Sequence, residues 1–376
     1  MKRVENLIIG AGPAGLAVAG RMRKASLDFT LLERTDKVGY AWHNHYDRLH
    51  LHTVKQYSNL PHLPFPDHYP LYVPKQQVAE YLEQYAAHFN IQPIFNREVI
   101  SIKKMENHKW LVGTKTGESY QTTRVIIGTG MNRLMNVPTF KGQEAFIGEI
   151  THSRKYKNAE PYRGKKVLVI GMGNTGAELA LDLCENDAET YLSVRSPVSI
   201  VPRDRNGQPI QVISKKLAKI PFNLGEWIGN IIRRRHYGDL SAYGLQQLTD
   251  PPVKILRTTG QSPVIDIGTI DAIKAGKIKV LGNIERFHKT GVAFKDGQSI
   301  DFDSIILATG YRSKVEDFLE RGEEALDDYG LPQPEIGVGY HQNIFFNGFD
   351  NYKLGGALGT IFNDSKTIVD YISEQA

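Results

Sequence analysis

Apolar residues in this chain gather into short runs that no polar residue interrupts. Leu7-Ile8-Ile9 and Val167-Leu168-Val169-Ile170 are two of them, and each ends on a glycine-rich segment, G-A-G-P-A-G at Gly10 to Gly15 and G-M-G-N-T-G at Gly171 to Gly176. Such runs predict strands covered on both faces, as in a parallel sheet, because a half-exposed strand alternates. A further run follows each glycine segment, Phe29 to Leu32 closed by Glu33, and Thr190 to Val194 closed by Arg195 and Ser196. The pattern predicts two strand-turn-helix-strand units. Val125-Ile126-Ile127-Gly128-Thr129-Gly130 and Ile305-Ile306-Leu307-Ala308-Thr309-Gly310 form a second matched pair, read as two exits from the first domain where a second is inserted.

Elsewhere the period changes. Val78, Tyr81, Leu82 and Tyr85 predict one face of a helix over Gln76 to His88, and strands are expected around Val99 to Lys103 and Trp110 to Val112. Tyr57 to Pro74 holds Pro61, Pro64, Pro66, Pro70 and Pro74, which predicts a rigid irregular loop able to wall a pocket. Pro221 to Leu248 is expected to supply further pocket wall. Ile361 to Ile372 reads as an amphipathic helix.

The glycines give these units their chemistry. A G-x-G-x-x-G turn after a buried strand lets a pyrophosphate approach the backbone at a helix N-terminus. Gly10, Gly12, Pro13, Ala14 and Gly15 are the candidates at the first site, and Gly171, Gly173, Asn174, Thr175 and Gly176 at the second. Glu33, with Arg34 beside it, offers a carboxylate to ribose hydroxyls, which suits FAD or NAD. Arg195 and Ser196 offer a cation and a hydroxyl to a 2′-phosphate, which suits NADP. Thr129-Gly130 and Thr309-Gly310 are turns expected beside a ligand. The fold class is therefore α/β, two Rossmann-like dinucleotide-binding domains, with the NADP domain inserted in the first, FAD- or NAD-binding domain. The expected boundaries are 1–152, 163–298 and 299–376.

Composition narrows the function classes. The 376 residues carry 46 basic and 41 acidic side chains, and the clusters Lys215-Lys216 and Arg233-Arg234-Arg235 read as solvated helix ends, so no nucleic-acid partner is implied. Cys184 is the only cysteine. It excludes an internal disulfide and a C-x-x-C redox pair, and reads as a small buried apolar residue. Leu217 to Ile232 is the longest apolar candidate, but Lys219, Pro221, Asn223, Glu226 and Asn230 break it. It is expected to be an amphipathic helix or cap, with peripheral membrane contact as a minor reading and no membrane span. Met1-Lys2-Arg3 leads into a strand without a signal peptide, so a cytoplasmic enzyme is expected, as monomer or homodimer. Among 12 histidines, the pairs His43/His45 and His50/His52 lack further soft ligands, and no metal is expected.

Phe146, Gly148, His152 and Tyr156 then carry a resemblance. They match F-x-G-x-x-x-H-x-x-x-Y at every specified position, just before the second glycine segment, as in the class B flavin-containing monooxygenases. Tyr46 to His52, Leu60 to Pro66, Arg163 to Val169, Pro263 to Thr269 and Ile306 to Ser313 further resemble the YUCCA-type members of that family. The resemblance implies FAD, NADPH and O2, a C4a-(hydro)peroxyflavin, and oxidative decarboxylation of a 2-oxo acid such as indole-3-pyruvate to indole-3-acetate. Oxygenation at nitrogen or sulfur, flavin reduction without oxygenation, and a flavin-binding regulatory protein stay open beside it. The resemblance also places Trp42 of Gly39-Tyr40-Ala41-Trp42 against the flavin, Gly359 at a helix start near the flavin pyrimidine, and His52 and Lys55 as candidate catalytic residues. His52 stands where the wider family has asparagine, and Val54 where relatives have proline. Two readings of His52 stand side by side, a hydrogen bond to the cofactors or a histidine satisfied within the fold.

Overall fold

The computed structural model describes residues 1–217, 219, 220 and 222–375. The chain folds into two compact units, 1–44 with 53–134 and 312–376, and 45–52 with 135–311.

The first unit is built on a sheet of β1 (Lys2–Ile9), β2 (Thr30–Leu32), β3 (Val99–Lys104), β4 (Trp110–Thr114) and β5 (Ser119–Ile127). Its order is β2-β1-β5-β4-β3, with the late strand Ile344–Phe346 pairing in parallel with the end of β5. Strands β1, β2 and β5 are parallel, and β3 and β4 are antiparallel additions. Leu7, Ile9, Val125, Ile127, Ile344 and Phe346 share one core cluster. Ile8 points the other way, toward helix α1 (Pro13–Lys24): a Cβ on Gly15 would stand 3.3 Å from its Cγ2. Both faces are covered, which is why the runs do not alternate. A five-residue helix α2 (Tyr40–Asn44) and α3 (Lys75–His88) follow. Val78, Tyr81, Leu82 and Tyr85 on α3 are all buried as their spacing predicts. Gly20 on α1 makes room for Tyr85, whose Oη lies 2.0 Å from where a Cβ would be. The 57–74 segment forms no long element and runs into α3 at Pro74.

The second unit has a five-stranded, wholly parallel sheet. Its strands are β6 (Glu149–His152), β7 (Lys166–Ile170), β8 (Glu189–Ser193), Ile278–Leu281 and Ser304–Leu307. Ser304–Leu307 sits between β6 and β7. That placement corrects the sequence reading, in which 149–152 and 299–310 belong with the first domain. An apolar run reports burial on both faces and not which sheet it joins, so Thr309-Gly310 leaves the second sheet, and the return to the first unit comes at Arg312. Val167, Val169 and Ile306 face a cluster with helix α4 (Asn174–Glu185), whereas Leu168, Ile170, Ile305 and Leu307 face one with Phe287, Val292 and Phe294 of an antiparallel three-stranded sheet.

Two further expectations change. Residues 217–232 do not form one helix: α5 (Ile210–Leu217) ends and α6 (Phe222–Tyr237) begins within the stretch, and Pro221 lies outside the described residues. Arg234 and Arg235 are exposed, but Arg233 is 3% exposed and not a solvated helix end. Cys184 is only partly buried, with Sγ 3.3 Å from the Leu181 carbonyl. No helix among the described residues is long and apolar enough to cross a membrane.

The last helix of the first unit, Gly356–Glu374, contains the longer form of the expected 361–372 helix. Its Asp364 is buried, with Oδ1 accepting from Lys353 Nζ at 2.9 Å and Oδ2 unpartnered. Burial outweighs the lysine and raises this carboxyl from its ordinary 3.8 to about 6. Because the folded value lies above the unfolded one, the linked stability is full below about pH 4 and is lost as pH rises through about 6. The shift corresponds to ~3 kcal/mol. Thermal melts of wild type and Asp364→Asn are expected to show the wild type losing ground between about pH 4 and 7; parallel curves would contradict the assignment.

Candidate functional site

The two fingerprints have the same geometry for the same reasons. Gly10 and Gly171 have φ of +102° and +104°, and a Cβ on either would lie 2.7 Å from a carbonyl oxygen, that of Gly128 or of Ala308. On Gly15 and Gly176 a Cβ would lie 1.8 and 1.9 Å from the oxygens of Gly10 and Gly171. These four glycines are required by the protein's own packing of strand, turn and helix. Gly12 and Gly173 are not, since a Cβ there meets nothing within 4 Å. The middle glycines therefore keep open a space that the chain itself leaves unfilled.

In the first unit that space belongs to a cleft. Gly10, Gly12, Pro13, Glu33, Arg34, Trp42 and Thr129 all line it. Glu33 is 8% exposed. Its Oε2 accepts from Ala11 N at 2.7 Å, and its Oε1 from Thr35 N and Thr35 Oγ1 at 2.9 and 2.8 Å. A carboxylate has about four acceptor positions, so three donors leave Glu33 one for a ligand. Thr129 Oγ1 is buried and has no partner, an unmet polar group facing the same cleft. Gly130 has φ of +74° and open space at its Cβ. Ala14 is buried in the first turn of α1. Sequence reasoning misses Arg97, Arg133 and Phe318, which also line the cleft. They come from distant parts of the chain and carry no local signal.

The second unit differs where it matters for charge. Gly10 N donates to Leu32 O at 2.8 Å, and Gly171 N to Ser193 O at 3.0 Å. This register pairs Leu32 with Ser193, Glu33 with Val194, and Arg34 with Arg195. The sequence-based match of Glu33 to Arg195 is one residue too far. The acid is replaced by a valine, and the following cation is common to both units. Arg195 and Ser196 are exposed, and no ion pair holds Arg195 among the described residues. Asn174 is turned to structure: its Oδ1 accepts from Ile265 N at 2.7 Å, and its Nδ2 lies 3.3 Å from Pro263 O. Thr175 sits beside it in the first turn of α4. Thr309 Oγ1 donates to Asn136 O at 2.5 Å, so unlike Thr129 it is already satisfied, and Gly310 again has open space at its Cβ.

The two candidate catalytic residues are both engaged. His52 Nε2 lies 3.2 Å from Glu178 Oε2 on α4, and the same oxygen accepts from Tyr46 OH at 2.7 Å. Lys55 Nζ donates to the carbonyls of Tyr69, Asp67 and Pro66 at 2.6, 2.7 and 3.4 Å. An ammonium has three protons, and all three bind the proline-rich loop. Lys55→Met is expected to lower stability by about 1–3 kcal/mol and to speed proteolysis within 57–74 while flavin content holds. A fall in turnover at unchanged stability would restore a catalytic role. Gly359 lies in the first turn of the last helix, where a Cβ would stand 3.5 Å from Tyr57 O.

The F-x-G-x-x-x-H-x-x-x-Y residues prove to be fasteners of the second unit. Gly148 is needed because a Cβ would strike Asp303 O at 2.6 Å. His152 Nδ1 accepts from Arg154 N at 3.1 Å, which fixes its other nitrogen as the donor to Gly310 O, also at 3.1 Å. Burial lowers its pKa, which favours this neutral form. Tyr156 OH donates to Asp182 Oδ2 on α4 at 2.6 Å.

Residues 1–325 match the model of the flavin-binding monooxygenase-like family. The chain belongs to that family. Within it, this flavin monooxygenase is 39% identical over 364 residues to the probable indole-3-pyruvate monooxygenase YUCCA7 of Arabidopsis thaliana, covering 93% of this chain and 84% of the relative. The fold is that of solved monooxygenases. A flavin-containing monooxygenase from Stenotrophomonas maltophilia superposes with a TM-score of 0.76 at 19% identity, over 100% of both chains. An oxidized steroid monooxygenase bound to NADP gives 0.78 at 18% identity, over 100% of this chain and 85% of the other.

Proposed function

We propose that the chain is an FAD- and NADPH-dependent monooxygenase that converts a 2-oxo acid, with indole-3-pyruvate as first candidate, to the carboxylic acid one carbon shorter. The observation that carries the substrate is the near full-length likeness to plant proteins named for that reaction. The balance is one 2-oxo acid, one O2, one NADPH and one proton going to the shorter acid, CO2, NADP+ and water. The chemistry that bound FAD would supply is acceptance of hydride from NADPH and activation of O2.

The chain's own residues do the binding. In this reading the first unit holds FAD and the inserted second unit NADPH. Gly12 admits the pyrophosphate of FAD, Glu33 uses its remaining acceptor position on a ribose hydroxyl, and Thr129 Oγ1 meets a cofactor oxygen. At the second site, Gly173 admits the pyrophosphate of NADPH. Val194 removes the carboxylate that would repel a 2′-phosphate, and Arg195 pairs with it. His152 keeps Gly310 in place beside that site. Purified enzyme given NADPH, O2 and indole-3-pyruvate is expected to form indole-3-acetate and CO2 in step with NADPH use. NADPH oxidation that yields only hydrogen peroxide, whatever acid, amine or sulfide is added, would instead make it a reductase.

A further inference from the structure

Helix α6 carries a polar face inward and an apolar face outward. Leu224 and Trp227 are 51% and 61% exposed, while Arg233 and Tyr237 are 3% and 4% exposed. Glu226, Asn230, Arg233 and Tyr237 recur at intervals of four, three and four residues, which places them along one face. Two of them are satisfied. Tyr237 OH donates to Asp266 Oδ2 at 3.2 Å, and Asn230 Oδ1 accepts from Arg233 at 2.8 Å.

Arg233 is not. Its Nη2 also donates to Leu248 O at 2.9 Å, but Nε and Nη1 are buried with no partner, and no carboxylate stands at ion-pair distance among the described residues. Two turns earlier, Glu226 Oε1 is buried and unpartnered as well. A guanidinium stays charged in a protein, and a buried charge without a counter-ion costs several kcal/mol. Burial, and after it the like charge of Arg234, draws the Arg233 pKa down. A cation held this way is half of an ion pair.

We infer that Arg233 binds the carboxylate of the substrate acid, making the inner face of α6 the element that selects acids over neutral analogues. The inference rests on the reading of the substrate as a 2-oxo acid and adds the residue that recognises it. The same anion-binding chemistry could serve the 2′-phosphate of NADPH, so the test separates the two. Calorimetric titration of the holoenzyme with indole-3-acetate and with its neutral isostere indole-3-acetamide is paired with KM values for indole-3-pyruvate, NADPH and NADH. The wild type is expected to prefer the acid about 10- to 100-fold. Arg233→Met should erase that preference and raise the KM for the 2-oxo acid by a similar factor, with the NADPH to NADH ratio unchanged. Arg233→Lys, which keeps the charge if the Met variant does not fold, should retain part of it. An unchanged acid preference in either variant overturns the inference and leaves the reaction standing. So does a loss confined to NADPH, which would reassign the anion to the cofactor. A wild type that neither binds nor turns over any 2-oxo acid while NADPH still reduces its flavin would instead overturn the substrate reading itself.

Discussion

Gly12→Val is expected to give a folded protein without flavin. A Cβ at Gly12 meets no protein atom within 4 Å, so the branch point of the new side chain has room in the unliganded chain. It does fill the space a pyrophosphate must enter, and an obstruction costing ~3 kcal/mol weakens FAD binding about a hundredfold or more. Absorbance at the flavin band relative to protein, read beside the thermal midpoint, checks both halves. The contrast is Gly15→Val, whose Cβ would stand 1.8 Å from Gly10 O. There the turn itself must move, and loss of soluble, cooperatively melting protein is expected. A Gly12→Val protein that purifies yellow would remove the cofactor from this cleft.

Arg195→Ala is expected to raise the KM for NADPH by roughly 10- to 100-fold, the worth of a charge-assisted contact of about 1.5–3 kcal/mol. NADH should be nearly unaffected, because it has no 2′-phosphate to lose. The register identifies a stronger companion. Val194 occupies the place of Glu33, so Val194→Glu puts a carboxylate beside the ribose, where it repels a phosphate and accepts from a free hydroxyl. The double variant is expected to prefer NADH. Steady-state KM values for both nucleotides decide it, and equal losses for both in Arg195→Ala would dismiss the phosphate contact.

Much of this is legible from residue pattern alone. Uninterrupted runs such as Val167 to Ile170 mark two-sided burial, and the fingerprint spacing marks the four glycines, Gly10, Gly15, Gly171 and Gly176, where a Cβ would strike a carbonyl oxygen of the chain itself. What fails is whatever depends on partners far along the chain. Ser304–Leu307 looks like Val125–Ile127 yet belongs to the other sheet, because neighbour choice is set by which edge is open and not by the strand's own residues. The one-residue error at Val194 arises because strand ends are fixed by hydrogen-bond register. Lys55 gives no sign of its role, since its three acceptors are backbone carbonyls, which any sequence possesses. Arg233 sits in a basic triplet that resembles a solvated helix end, and only the packing of α6 separates it from Arg234 and Arg235.

The most direct measurement is turnover of indole-3-pyruvate under 18O2 with NADPH, followed by mass spectrometry of the acid. One labelled oxygen in each molecule of indole-3-acetate, with one NADPH consumed per acid formed, is the predicted result. Unlabelled acid, or label recovered only in hydrogen peroxide and water, would contradict the account.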